Sequence, residues 1–248
     1  MSFARQGRAV AFFDLDGTLL PPPSLEWRLF RLLNDCRAVG IRQGLAWLAE
    51  TLRMMPCGLR ELRHTNKMYL RGVSSGLSAF ISRLDIVFFP DGLERIVEHV
   101  AKGHAIVLVS GTLEPLARIA AATLERELAS RGEIGSIAVC ATRAAETKGR
   151  WTGRLTEPAM IGAAKGSAVR RIAAECGYDL AQSFAYGDSH DDVWLLSSVG
   201  HAFAVNPPRS LLRIARQEGW PALHWKESPG PGADGAADLR LERGALHQ

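Results

Sequence analysis

The chain has 248 residues, of which 47% are hydrophobic and 23% charged, and a formal net charge of +4. That is ordinary globular composition, long enough for one large core plus a small second lobe. It excludes a stably membrane-inserted protein, because no apolar run is long enough to cross a bilayer, and the short run after Arg5 and Arg8 meets Asp14 too soon for a signal peptide.

In chain order, residues 8–13 predict a buried strand: short, apolar and bounded by polar residues. It stops on two carboxylates, Asp14 and Asp16, followed by Gly17 and Thr18. After Pro21, Pro22 and Pro23 the period changes. Leu25, Leu29, Leu32 and Leu33 fall at helical spacing, and so do Leu45, Leu48 and Leu52. Pro56 and Gly58 interrupt the pattern, which resumes over 59–72. Residues 21–88 therefore predict an all-helical insert. Between Ser24 and Asp85, nine arginines and one lysine oppose two aspartates and three glutamates, a surplus of +5, while the rest of the chain sums to about −1. A basic lobe beside a near-neutral one fits an anionic ligand, and equally a solvated, Arg-rich helical surface. Trp27 and Trp47, in the same lobe, predict packing in its core, with a lipid-phosphate substrate as the less favoured reading.

From Asp91 the pattern alternates. Helices are expected at 91–103, 114–132, 165–177, 191–199 and 209–219. Strands are expected at 104–110, 136–142, 183–188, 201–206 and 221–225, with a small β excursion at 149–155. Such alternation predicts an α/β fold, a doubly wound parallel sheet. Residues 1–20 and 89–226 then form the core domain and 21–88 the helical insert. Residues 227–248, rich in Gly, Pro and Ala, predict a disordered and dispensable tail. The four cysteines, Cys36, Cys57, Cys140 and Cys176, form no CxxC pair and read as reduced thiols of a cytoplasmic protein. No zinc pattern or aromatic-interleaved basic patch argues for nucleic acid.

Ligands of an open parallel sheet bind at the carboxyl ends of its strands. Three predicted strands end in polar groups: Asp14 and Asp16; Ser110, Gly111 and Thr112; and Gly187 and Asp188, with Asp191 and Asp192 close behind. Lys165 precedes the helix that leads into the Asp188 strand, which favours it over Lys148 as the site's cation. Crowded carboxylates need a cation or take up protons, and hard oxygen ligands suit Mg²⁺. A strand-end hydroxyl, a backbone N–H and an ammonium suit phosphoryl oxygens. Asp14 and Asp16 share a side but differ in reach, so one can attack phosphorus while the other handles protons. The spacing after DLDG excludes an EF-hand, and no Walker loop is present. His190 reads as a capping or solvated residue.

The set DLDGT, VLVSGT, a following lysine and YGDSHDD resembles the four motifs of the haloacid dehalogenase superfamily, over about residues 8–225. The helical insert directly after DLDGT resembles the C1 cap of the phosphoserine-phosphatase-like branch. Stretches such as HVAKGHAIVLVSGT and AVNPPRSLLRIARQEGW are similar to its subfamily IB hydrolases. The resemblance implies a Rossmann-like core in which Asp14 is the nucleophile that becomes an aspartyl-phosphate. Asp16 would protonate the leaving group and then activate water. Mg²⁺ would bind the Asp14 carboxylate, the Asp16 backbone carbonyl and Asp188. Ser110, the Gly111 N–H and Lys165 would hold the phosphoryl oxygens, and Asp192 would orient Lys165 or a metal-bound water. Asp191 stands where the family often has Asn. For the substrate-binding glutamate and arginine of a phosphoserine phosphatase, the nearest candidates are Glu26 and Arg60.

The expected activity is Mg²⁺-dependent hydrolysis of a small phosphorylated metabolite. A phosphotransferase or mutase on the same scaffold, or a non-catalytic phosphate-binding protein, are the alternatives. The presence of Asp16 argues against dehalogenation, and the retention of Asp14, Asp16 and Asp188 argues against a non-catalytic role.

Overall fold

The computed structural model describes residues 8–55, 64–76, 83–133 and 135–227. Arg60, Arg63, Cys57 and the expected tail beyond Glu227 lie outside the described residues. Six strands form one parallel sheet in the order β3-β2-β1-β6-β7-β8. They are β1 (Val10–Phe13), β2 (Ala105–Leu113), β3 (Ile137–Thr142), β6 (Phe184–Gly187), β7 (His201–Val205) and β8 (Ala222–Leu223). The chain runs outward from β1 to β3, then returns to place β6 against the other side of β1. The crevice where the strand order reverses therefore opens between the ends of β1 and β6.

Helices cover both faces, which is why β1 is a continuous apolar run rather than an alternating one. Ala11 and Phe13 join one core cluster with Leu93 and Ile96 of α3 (Pro90–Ala101) and Leu116 and Leu124 of α4 (Glu114–Ser130). Val10 and Phe12 join the other with Val169 of α5 (Ala163–Cys176), Leu195 of α6 (Val193–Leu196) and Leu211 of α7 (Arg209–Glu218). Each such large side chain contributes about 1.5–3 kcal/mol on burial, so the sheet centre is anchored by composition. Tyr186 stacks between Phe13 and Phe203, with ring centroids at 4.4 and 5.0 Å.

Some boundaries differ from the sequence reading, for local reasons. β2 runs past Ser110 to Leu113, because Thr142 Oγ1 donates to the Gly111 carbonyl and Leu113 pairs with Thr142 after a register shift. α5 begins at Ala163, so Lys165 lies inside its first turn rather than before it. The expected 191–199 helix is a 3-10 turn, His190–Asp192, followed by the short α6.

Between β1 and α3 the described chain forms α1 (Leu25–Asp35) and α2 (Ile41–Met54). The Ser24 side chain caps α1 by accepting from the Trp27 N–H, and Leu25, Leu29, Leu32 and Leu33 bury its inner face. Helix does not continue through 64–76. After a single 3-10 turn, Met68–Leu70, Gly72 takes φ +81°, which ends the helical path. Residues 72–75 then run beside the antiparallel hairpin β4 (Ala144–Thr147) and β5 (Arg150–Leu155), the small excursion read from the sequence. Gly72 N donates to Trp151 O (2.8 Å), Trp151 N to Val73 O (2.9 Å) and Ser75 N to Gly149 O (3.0 Å). Trp27 and Trp47 do not pack in a core as expected; both are exposed.

His99 of α3 is buried, with its ring nitrogens 2.8 Å from His104 Nδ1 and 2.9 Å from Tyr186 Oη. Burial, with a contribution from His104, pushes its pKa down to about 3. The unfolded chain therefore binds a proton that the folded chain refuses, and stability is lost as pH falls below about 6.5, by at most about 1.4 kcal/mol per unit. His99→Gln should flatten this dependence between about pH 3 and 6.5, the window between the folded and the ordinary histidine values. Parallel melting curves of the two chains isolate the effect, and an unchanged difference across that window would contradict it.

Candidate active site

Asp14 follows β1 directly. Its N–H donates to the Tyr186 carbonyl of β6 (2.9 Å), continuing the ladder that sets the carboxylate at the mouth of the crevice. Asp14 keeps the parity of Val10 and Phe12, the side of the sheet covered by α5. Lys165, on the first turn of α5, reaches Asp14 Oδ1 at 2.5 Å and Asp192 Oδ1 at 2.5 Å. Gly166 lets α5 lie this close: a Cβ there would meet the Trp194 carbonyl oxygen at 2.8 Å. Asp192 is fixed in turn, its Oδ2 accepting from Ser189 N (2.9 Å) and Ser189 Oγ (2.7 Å).

Asp188 follows β6 on the other side of the crevice. Gly17, at φ +90°, passes so close that a Cβ would lie 2.2 Å from Asp188 Oδ2. Only glycine combines that conformation with that approach. Thr18 Oγ1 lies 3.2 Å from Asp188 Oδ1 and 3.4 Å from Asp14 Oδ2, bridging the two acids. Asp16 turns the other way: its Oδ1 accepts from the Leu25 N–H at the first turn of α1 (2.8 Å). Ser110 is buried in β2, its Oγ accepting from Thr112 N (3.2 Å). The Thr112 hydroxyl is buried with no hydrogen-bond partner among the described residues.

Ligand oxygens of Asp14, Asp188 and Asp192 lie within 4.8 Å of one another. Burial raises the Asp14 pKa well above the ordinary carboxylate range; Lys165 opposes this, while Asp192 and Asp188 add to it. Burial, then Asp192, pushes Asp188 up to about 7. Burial pushes Asp16 up to about 6 against the stabilising Leu25 N–H. Burial disfavours the Lys165 charge, but Asp14 and Asp192 outweigh it and raise its pKa. Two buried acids, Asp14 and Asp192, and the half-buried Asp188 against one lysine leave an excess of negative charge, which protons or a cation must balance. All-oxygen donors of this kind fit a hard divalent ion such as Mg²⁺.

The site opens into a cavity of about 1140 Å³ lined by Asp14, Asp16, Ser110, Gly111, Thr112, Lys165 and Asp188, and on its far side by α1, α2 and residues 64–69. Glu26 lines that far side, where the sequence reading placed a substrate contact. Its carboxylate accepts from Lys67 Nζ at 2.6 and 2.7 Å and from Tyr69 Oη at 2.6 Å. His64 Nε2 lies 3.5 Å from Asp191 Oδ2, joining the far side to the sheet. Lys67, Tyr69, His64, Thr18 and Thr112 were not among the predicted site residues. The SGT and DGT triplets already held the two threonines, but nothing in 64–69 marked that stretch. Lys148, the rival cation, occupies the β4–β5 turn at φ +50° and does not line the cavity.

An acidic crevice at the switch point of a doubly wound parallel sheet defines an α/β protein built to neutralise charge at its strand ends. The model of the haloacid dehalogenase-like hydrolases matches residues 11–197, and the chain belongs to that family. A Mycobacterium tuberculosis protein named as a probable phosphatase is 34% identical over 238 residues, 89% of this chain and 76% of its own length. A phosphoserine phosphatase of the same organism is 36% identical over 131 residues, 52% of this chain and 39% of its own. The "Inhibition of morphological differentiation protein" of Streptomyces azureus is 35% identical over 144 residues, 56% of this chain and 47% of its own. The chain thus spans less than half the length of several curated relatives it matches. Among solved structures, a Bordetella pertussis protein of unknown function superposes with a TM-score of 0.66 at 26% identity, covering 88% of this chain and 98% of its own. A phosphoserine phosphatase solved as a phospho-aspartyl intermediate analogue shares the fold at 17% identity, with a TM-score of 0.56 and coverages of 95% and 99%.

Proposed function

We propose that the protein hydrolyses the phosphomonoester of a phosphorylated small molecule through an aspartyl-phosphate at Asp14. The observation that carries this reading is the buried Asp14 carboxylate, held by Lys165 at the cavity floor, with a second acid two residues on whose pKa is about 6. An Asp14 oxygen attacks phosphorus, and the bond from phosphorus to the leaving oxygen breaks. Protonated Asp16 donates to that oxygen, and as a carboxylate it then takes a proton from the water that attacks the aspartyl-phosphate. Phosphate leaves and Asp14 is restored. A pKa near the working pH suits a group that must both give and take a proton. The Ser110 hydroxyl, the Gly111 N–H and the Lys165 ammonium hold the phosphoryl oxygens, and Asp192 positions Lys165. Mg²⁺ would be held by the Asp14 and Asp188 carboxylates and the Asp16 carbonyl; when bound it would offset charge on the phosphoryl oxygens. The segment 21–88 acts as the cap that covers the site and contacts the leaving group.

The test is phosphate release from an aryl phosphate. Turnover should vanish on exhaustive chelation and return with Mg²⁺; full turnover in chelator, or none on any phosphomonoester with Mg²⁺, would refute the reading. Added alcohols that capture the phosphoryl group in place of water would instead favour a phosphotransferase. Asp16→Asn should slow turnover by roughly 10²–10⁴-fold, as for other general acid–base groups. For formation of the aspartyl-phosphate the loss should shrink when the leaving group is a good one. A loss independent of leaving group in that step would remove Asp16 from the acid role.

A further inference from the structure

Resting on the phosphatase reading, we propose that the site takes phosphomonoesters bearing an acyl chain, and that α2 is the face by which the protein lies on the anionic bilayer holding them. Ile41, Leu45, Leu48, Leu52 and Met55 follow helical spacing along one face of α2 and its C-cap. Such a stripe ordinarily packs into a core. Here α2 has no buried residue, and these five side chains are between 48 and 83% exposed. Contiguous exposed apolar surface of this kind marks an interaction site.

The stripe is continuous with the active-site cavity. Ile41 belongs to it and also lines the cavity, as does Trp47 on the same helix. Beyond them, Trp27 and Phe30 of α1, stacked with centroids 5.5 Å apart, extend an apolar wall toward Asp14. The charged groups on that wall are engaged with each other: Glu26 with Lys67 and Tyr69, His64 with Asp191. A small zwitterionic leaving group would find no open ion-pairing position in the Glu26–Lys67 pair, and would fill little of the 1140 Å³. An acyl chain would desolvate the aromatic wall and reach the stripe.

Charge selects the bilayer among possible occupants. The segment 24–85 carries the +5 surplus, and Arg31, Arg37 and Arg42 are exposed on α1, just after it and on α2. An apolar face on a helix that also carries the exposed Arg42, in a segment of net positive charge, suits the boundary between anionic headgroups and acyl chains. No helix among the described residues is long and apolar enough to cross a membrane, and the contact proposed here is that of an exposed helix face lying on the surface.

The test co-sediments the full chain with phosphatidylcholine vesicles, with and without phosphatidylglycerol, and measures phosphate release from dodecyl phosphate, butyl phosphate, phosphoserine and an aryl phosphate. Binding should be at least ~10-fold stronger to the anionic vesicles. The kcat/KM should rise at least ~10-fold from butyl to dodecyl phosphate, as buried methylenes accumulate. Leu48→Glu combined with Leu52→Glu, neither lining the cavity, should lower vesicle binding and the ratio of dodecyl to aryl turnover each by at least ~10-fold, at an unchanged melting temperature. The proposal is overturned by failure to bind either vesicle, by binding that the double variant leaves intact, or by phosphoserine being preferred to dodecyl phosphate. It is also overturned by a dimer of this chain that the double variant dissolves, which would assign the stripe to a second copy. A wild-type chain that hydrolyses none of these esters defeats the phosphatase reading, while co-sedimentation still decides the docking face.

Discussion

Asp14→Asn should leave a folded protein whose phosphate release is at least ~10³-fold slower, the scale of loss when a chemical participant is removed. An amide cannot attack phosphorus as a carboxylate does, and nothing else among the described residues stands where Asp14 does, between Lys165 and the Asp188 carboxylate. Folding should survive, because Asn keeps the shape and can still accept from Lys165, while burial already disfavours the charged form of Asp14. The measurement is turnover on an aryl phosphate beside a melting curve, with fluoroberyllate trapping on the wild-type chain. A variant with near-normal turnover would refute the nucleophile assignment, as would a wild-type adduct on another residue.

The second large effect is on stability. Lys165→Met keeps the volume but leaves Asp14 and Asp192 buried without their shared cation. Removing one partner of a buried ion pair costs about 3–5 kcal/mol, because the remaining charge is uncompensated. The acids respond by taking up protons, so their folded pKa values rise further above the unfolded value. The sign follows: a raised carboxyl binds its proton in the folded state where the unfolded chain has lost it, so stability falls as pH rises above about 4. The variant should therefore be weakest near neutral pH, measured in chelator, and recover part of the loss toward about pH 5, closer to the ordinary carboxylate range. Adding Asp192→Asn should restore part of it at neutral pH, since the like-charge neighbour of Asp14 is gone. A single variant as stable as wild type at neutral pH, with no pH dependence of the difference, would show that the pair is not holding the site together. Turnover should fall in the same variant, since Lys165 is proposed to hold phosphoryl oxygens, and that loss is read separately from the melting curve.

Much of this protein is written locally. Residues 10–13 are apolar on both faces and had to be an interior strand, and the polar residues that follow had to fall at its end. The same reasoning placed Asp188 at the end of β6 but ended β2 at Ser110, three residues short of Leu113, and the alternation of strand and helix required a parallel sheet. A period of two or of 3.6 is set by backbone geometry, so it can be read from the order of residues alone. What that order does not contain is which faces meet. The leucines of α2 have the spacing of a buried stripe, yet nothing among the described residues buries them, because a hydrophobic period reports an apolar face and not the presence of a partner. Lys67 and Tyr69 reach Glu26 across 41 and 43 residues, and Lys165 reaches Asp14 across 151. Contacts of that separation depend on how helices and strands pack, which no window of sequence encodes. The composition of the segments determined the sheet and the identity of its acidic ends. Tertiary packing alone decided that Asp14 and Asp192 share one lysine, that Glu26 is already paired with Lys67, and that an apolar helix face stands open beside the cavity among the described residues.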